Sequence, residues 1–138
     1  MLLRKIERED LNDHYLDLLD ELTPSSHEVN FDEEWSAFSR NKDHHVLVVT
    51  HGNSVVGTAS LFLEHKLDGR VAGHVEDVVV SKPRRGEGLG KVLIDGLIRI
   101  AIREKCYKIL LNCSDKNIPF YGKFGFVRID NGMKLVMQ

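Results

Sequence analysis

A mixed α/β domain built on one sheet is what this sequence predicts, and three observations carry it. Short β-branched runs, "HVLVVT" (45–50), "VVGTASLFLEH" (55–65) and "YKILLNC" (107–113), alternate with stretches whose apolar residues recur every three or four positions. Two-residue hairpin signals, Asp68-Gly69 and Asn131-Gly132, stand between strand candidates. Between the apolar run 78–80 and the longest helical pattern lies a glycine-rich turn, "RRGEGLGK" (84–91), the arrangement of a strand running straight into a helix.

The elements follow in order. "LLRKI" (2–6) reads as a short strand. Leu11, Tyr15, Leu18 and Leu22, spaced 4, 3, 4, mark one face of a helix that Pro24 ends, and "TPSSH" (23–27) reads as a loop. Asn30 and Glu33 form a capping pair for a second short helix with Phe31, Trp35 and Phe38 on one side. Strands at 45–50 and 55–65 are joined by the turn "HGNS", and a third at 70–80 ends in a continuous apolar run that predicts a place inside the sheet. Leu89, Val92, Leu93, Leu97, Ile100 and Ala101 mark a helix over 88–105, and 107–113 reads as another buried strand. "KNIPFYGKFG" predicts a short helix with Pro119 in its first turn and Gly125 as its stop. "FVRID" and "KLVMQ", around Asn131-Gly132, read as two final strands.

At 138 residues the chain is expected to be one domain, 1–138, with 42% hydrophobic and 29% charged residues as in ordinary globular proteins. A net charge of −2 argues against broad nucleic-acid binding. No apolar run approaches the roughly 20 residues of a membrane-spanning helix. "MLLRKIERED" lacks the pattern of a secretory leader. Two cysteines, Cys106 and Cys113, are too few for a disulfide framework, and none falls at zinc-site spacing. The expectation is a cytoplasmic protein with two packed thiols and no metal.

The glycine turn suits a polyanion. Backbone N–H groups at a helix N-terminus point outward without partners, and the helix dipole adds positive potential. Glycines let a phosphate approach them closely, with Arg84, Arg85 and Lys91 as charge partners. The dinucleotide fingerprint G-x-G-x-x-G is absent, and Walker A fails because Val92 follows Gly90-Lys91 and position 85 is Arg. Taken alone, the turn fits a pyrophosphate cradle or a bend that only packs the helix.

Arg85-Gly86-Glu87-Gly88-Leu89-Gly90 fits the R/Q-x-x-G-x-G/A pattern of the GCN5-related N-acetyltransferases, and the order of elements resembles theirs throughout. Within that superfamily "ELTP", "GHVEDVVV", "GLGKVLID", "CYKILLNC" and "KNIPFYGKFGF" are similar, in order and spacing, to the glucosamine-6-phosphate N-acetyltransferases over most of residues 21–126. The resemblance implies a mostly antiparallel sheet flanked by helices. It implies acetyl transfer from acetyl-CoA to the 2-amino group of D-glucosamine 6-phosphate, which feeds UDP-N-acetylglucosamine synthesis. It also implies a homodimer whose C-terminal strands complete each other's sites. By the same resemblance Val78, Val79 and Val80 line the coenzyme arm and offer a backbone N–H to the carbonyl oxygen. Arg85, Gly86, Glu87, Gly88, Leu89, Gly90 and Lys91 hold the pyrophosphate, and Asn117, Tyr121 and Lys123 lie near the coenzyme. Thr23, Lys66, Glu76, Asp77, Tyr107 and Lys108 meet the amino sugar.

Amide formation from a thioester needs a neutral amine, a stabilised carbonyl oxygen, aligned reactants and a proton for the departing thiolate. Tyr121 is the general acid on this reading, and no cysteine need act as nucleophile. Glu76 and Asp77, adjacent on a strand, are expected to point to opposite faces and so not to form a carboxylate dyad. Three departures fall on the acceptor side. Asn112 stands where the family often carries an acid, which leaves Glu76, through water, as the base or an amine that arrives neutral. The hairpin over 64–76 is about two residues short and lacks a clear counterpart of a substrate histidine. "NGMKLVMQ" lacks an arginine, for which Lys134 is the substitute at hand. An acetyltransferase with another amine acceptor, and a non-catalytic acyl-CoA-binding module, therefore remain alternatives.

Overall fold

The computed structural model describes residues 1–25 and 28–137. Five strands form one sheet in the order of the chain: β1 (Leu2–Lys5), β2 (His44–His51), β3 (Ser54–His65), β4 (Val71–Val80) and β5 (Cys106–Leu110). The first three pairings are antiparallel and the last, β4 with β5, is parallel. The helices are α1 (Asp13–Asp20), α2 (Phe31–Arg40), α3 (Leu89–Arg103) and α4 (Ile118–Gly122).

The apolar periodicity explains which helix covers which face. Leu89, Leu93, Ile94, Leu97, Ile100 and Ala101 of α3 are buried against Leu47, Val49, Ala59, Leu61 and Val75, and this cluster is the main core. On the opposite face Leu18 of α1 packs on Val48, Val55 and Val79. Burying such side chains contributes about 1.5–3 kcal/mol each, so α3 anchors the fold. α1 starts at Asn12, whose side chain caps the N–H of Tyr15, and α2 starts at Asn30, whose side chain accepts from the N–H of Glu33. α2 buries none of its residues, so its aromatic side only leans on the sheet edge, where Phe38 meets the edge of His44, itself stacked on Phe62.

Beneath α1 the Tyr15 hydroxyl lies 2.8 Å from Thr58 Oγ1, which bonds the Leu47 carbonyl at 2.9 Å. The single Thr58 proton is directed to that carbonyl, so Tyr15 is the donor of the pair. Burial pushes the Tyr15 phenol up to about 12.

Four expectations need correction. No strand forms over 126–137, so the hairpin around Asn131-Gly132 is absent; its apolar residues, among them Val127, Leu135 and Val136, lie exposed without a partner strand to bury them. β5 stops at Leu110 rather than 113 because β4 and β5 part company there. Cys113 is exposed and only Cys106 is partly packed, against Gly73. The regular alternation assumed for Glu76 and Asp77 is broken by a bulge. The loop predicted at 23–27 includes Ser26 and His27, and the last strand includes Gln138; those three lie outside the described residues.

One ion pair ties β1 to the turn that follows it. Asp10, buried, accepts from Arg4 Nη1 at 2.7 Å and Nη2 at 2.9 Å and from the Glu7 N–H at 2.8 Å. The Arg4 hydrogen bonds hold the Asp10 carboxyl below its usual range, against the burial that would raise it. A carboxyl depressed in the folded state stabilises above its unfolded pKa and loses that contribution as pH falls through the folded value. Asp10→Asn should therefore cost about 1–3 kcal/mol near neutral pH, because a buried bidentate partner is lost. Denaturant titrations from pH 7 down to pH 3 should show the gap between variant and parent narrowing. A constant gap would contradict this account of Asp10.

Candidate active site

The site grows from an irregularity in β4. Thr58 faces Val79 and Ser60 faces Glu76, so Ala59 alone faces both Asp77 and Val78. One extra residue on one strand is a β-bulge, which bends the strand and increases its twist. Asp77 takes the strain with φ of +53°, a left-handed conformation that aspartate tolerates better than most residues. Asp77 then does not point away from the face of Glu76. Its charge acts on Tyr15 under α1 and on His44, whose pKa burial lowers and Asp77 raises. His44, paired with Phe62, and Glu76, paired with Ser60, lie on that same face. Both acids are exposed, and among the described residues neither makes an ion pair; Arg70, at the start of the same hairpin arm, is bound to Asp68 at 2.8 Å.

The pairing of β4 with β5 ends at His74 and Leu110. Beyond it the stretch 75–80 of β4 runs on with β3 on one side and no strand on the other. Backbone N–H and C=O groups along such a parted edge can take an extended, strand-like ligand. Val78 and Val80 pack toward the α3 side while Val79 is buried toward α1, so their side chains fix the strand and its backbone faces the cleft.

The glycine turn closes the end of this cleft. Gly86 and Gly88 have φ of +87° and +82°, a region where other residues are strained, and no atom lies within 4 Å of where a Cβ would stand on either. α3 has Gly88 as its cap, and among the described residues no side chain bonds its first N–H groups, so those of Leu89, Gly90 and Lys91 are open to an anion. A Cβ on Gly90 would come within 3.2 Å of the Phe120 ring, so the missing side chain there also seats α4 against α3. The cations stand differently from expectation. Lys91 Nζ bonds Asp95 at 2.6 Å, and Arg84 lies 3.7 Å from Glu87. Arg85 donates from Nε to the Val80 carbonyl at 3.0 Å and from Nη2 to Glu21 at 3.0 Å. The donors left open at this turn are chiefly backbone.

α4 sets Tyr121 in the main core, the cluster against which Val78 and Val80 also pack. The Tyr121 ring is buried, edge-on to Phe120 at 4.9 Å and to Phe126 at 5.9 Å. Burial, then charge on the nearby Cys113 sulfur, raises its pKa, which favours the protonated phenol. Asn117 precedes α4 and Lys123, exposed, follows it. Asn112 lies just past the end of β5, and a Cβ at Gly132 would come within 3.0 Å of its Oδ1, so the C-terminal segment passes over it.

The remaining acceptor-side candidates do not all gather here. Thr23, exposed, follows α1. Lys66 sits at the β3–β4 hairpin, 3.4 Å from Glu64, whose other oxygen bonds His74 at 2.9 Å. Tyr107 and Lys108 are exposed on β5, with Arg70 stacked over the Tyr107 ring at 4.5 Å. Lys108 pairs with Ala72, four residues before Glu76, a separation of about 13 Å along the strand. Glu21 was missed from sequence: it lies over 60 residues from Lys82 and Arg85, and no local pattern links them. Among the described residues no cluster of three or more His, Cys, Asp or Glu side chains could hold a metal, and no helix is long and apolar enough to cross a membrane.

A glucosamine 6-phosphate N-acetyltransferase of Trypanosoma brucei brucei is 40% identical over 96% of this chain and 93% of its own length. One of Candida albicans is 36% identical over 98% and 93%. The crystal structure of glucosamine-6-phosphate N-acetyltransferase from Arabidopsis thaliana superposes with a TM-score of 0.92 at 30% identity, covering 99% of this chain and 98% of that one. The model of the acetyltransferase (GNAT) family matches residues 8–126, from the turn before α1 to the end of the segment carrying Tyr121. A family that uses acetyl-CoA accounts for the parted strands, the uncapped helix end and the buried phenol together: the chain is an acetyl-CoA-dependent N-acetyltransferase and belongs to the acetyltransferase (GNAT) family.

Proposed function

We propose that the chain acetylates the 2-amino group of D-glucosamine 6-phosphate. The observation that carries this reading is the exposed acid pair, Glu76 and Asp77, held by the bulge where β4 leaves β5. Two carboxylates at the mouth of a coenzyme cleft attract a cationic amine and orient a polyol. The names of the relatives, matched over nearly their whole length, support the sugar phosphate as the acceptor.

The chain's groups divide the work. N–H groups at the start of α3 hold the pyrophosphate, and the edge of 78–80 aligns the acyl arm. A backbone N–H of that segment stabilises the carbonyl oxygen as it gains charge. Glu76, through water, takes the proton that the attacking nitrogen loses. As the nitrogen–carbon bond forms and the carbon–sulfur bond breaks, the Tyr121 hydroxyl gives its proton to the sulfur. Asn112 cannot serve as base, which leaves that task on β4.

Lys108 stands about 13 Å along the strand from Glu76, while the apolar 127–137 segment is exposed. Both facts support a homodimer in which one copy's C-terminal segment and cations complete the other's site. The two free thiols support a cytoplasmic location. On this reading the product enters UDP-N-acetylglucosamine synthesis, with no nucleic-acid or membrane partner.

Thiol release from acetyl-CoA tests the acceptor. Turnover is expected with D-glucosamine 6-phosphate and should be far lower with glucosamine or a lysine peptide. Equal or better turnover with either of these would transfer the reading to another acceptor, and coenzyme binding without any turnover would leave a binding module. Tyr121→Phe should lower kcat by roughly 10²–10⁴, the range of acid–base groups. An unchanged kcat would restrict Tyr121 to packing.

A further inference from the structure

We infer that Glu21 is a positioning residue for the coenzyme turn: its carboxylate, at the end of α1, clamps Lys82 and Arg85 and so presets the loop that carries the uncapped N-terminus of α3. The inference rests on the reading of that turn as the pyrophosphate cradle.

The argument starts from what the turn lacks. Residues 86–90 contain three glycines, and the space a Cβ would fill at Gly86 and Gly88 is open, so no side-chain packing restrains them. Glycine has the most backbone freedom to lose, so such a turn holds one shape only if its flanks are fixed. The downstream flank is α3 itself, buried through Leu89 and Leu93. The upstream flank is a single 3-10 turn, Lys82–Arg84, with no buried residue. The Ser81 N–H ties its start to the Val56 carbonyl at 2.9 Å, and Glu21 holds it from the side of α1. One carboxylate oxygen accepts from the Lys82 N–H at 3.2 Å and from Arg85 Nη2 at 3.0 Å. Arg85 in turn bonds the Val80 carbonyl through Nε at 3.0 Å. The guanidinium therefore spans from the end of β4 to the end of α1, with Gly86 the next residue along the chain. Glu21 also begins the segment that carries Thr23, so one side chain joins the acceptor side of the site to its coenzyme side.

A carboxylate so near a pyrophosphate site has two opposite effects. Its charge opposes an anion, whereas its hydrogen bonds pre-organise the loop that receives one. The positioning role requires the second to win, which gives the experiment a sign. The dissociation constant of CoA is measured by calorimetry for the parent chain, Glu21→Ala, Glu21→Gln, Arg85→Ala and the double variant Glu21→Ala/Arg85→Ala. Glu21→Ala should weaken binding about three- to fivefold, the scale of a partly exposed charged contact. Glu21→Gln keeps the accepting oxygen without the charge and should restore binding to within about twofold of the parent. In the Arg85→Ala background Glu21→Ala should cost clearly less than in the parent, because only the Lys82 N–H contact remains to be lost. Unchanged or tighter binding by Glu21→Ala would overturn the inference, as would an equal loss in both backgrounds. A parent chain that does not bind CoA would instead overturn the reading of the turn, a result distinct from either.

Discussion

One extra residue in β4 organises this molecule. Asp77 and Val78 share a single partner on β3, and the bend they impose comes just beyond the last pairing of β4 with β5. A sheet that would otherwise continue regularly is opened into a cleft between two parallel strands. Everything chemical is placed by that opening: the free edge of 78–80, the acids at its mouth, the glycine turn that follows it and the buried phenol delivered by α4. The strain of a left-handed aspartate is borne because α1 and α3 clamp the sheet from both faces, with Val79 and Val78 committed to opposite cores.

The glycine turn illustrates how geometry reassigns roles that residue types suggest. Cations beside a phosphate loop invite an ion-pair explanation. Here Lys91 is held by Asp95, Arg84 stands beside Glu87 and Arg85 is committed to Glu21 and a backbone carbonyl. What is left open is the ring of N–H groups at the head of α3, whose dipole is fixed by a buried helix and costs no reorganisation when an anion arrives. The side chains build the shape, and the backbone N–H groups are what stands open.

The parts of the fold legible in the sequence are those set by local periodicity and local chemistry. The α3 face, the Asn12 and Asn30 starts, the Asp68-Gly69 turn and the Pro119 helix all depend on neighbours within four residues. The membership of the acetyltransferase (GNAT) family was legible through "RRGEGLGK" and its companion blocks. What escaped depends on distant partners. The bulge at Asp77 exists only opposite Ala59; Glu21 matters only once α1 is set beside Lys82; and the last two strands were inferred from a pattern that finds no strand to pair with in this chain. Exposed Cys113 belongs with these, since its burial would have required β5 to run three residues further.

The most direct test of the account is amide hydrogen exchange on the chain with and without CoA. Slowed exchange is expected at the open edge of 78–80 and at the head of α3, residues 89–91, with the β3–β4 hairpin near Lys66 unaffected. Protection confined to that hairpin, or none along 78–80, would contradict the claim that the parted strands and the glycine turn form the coenzyme site.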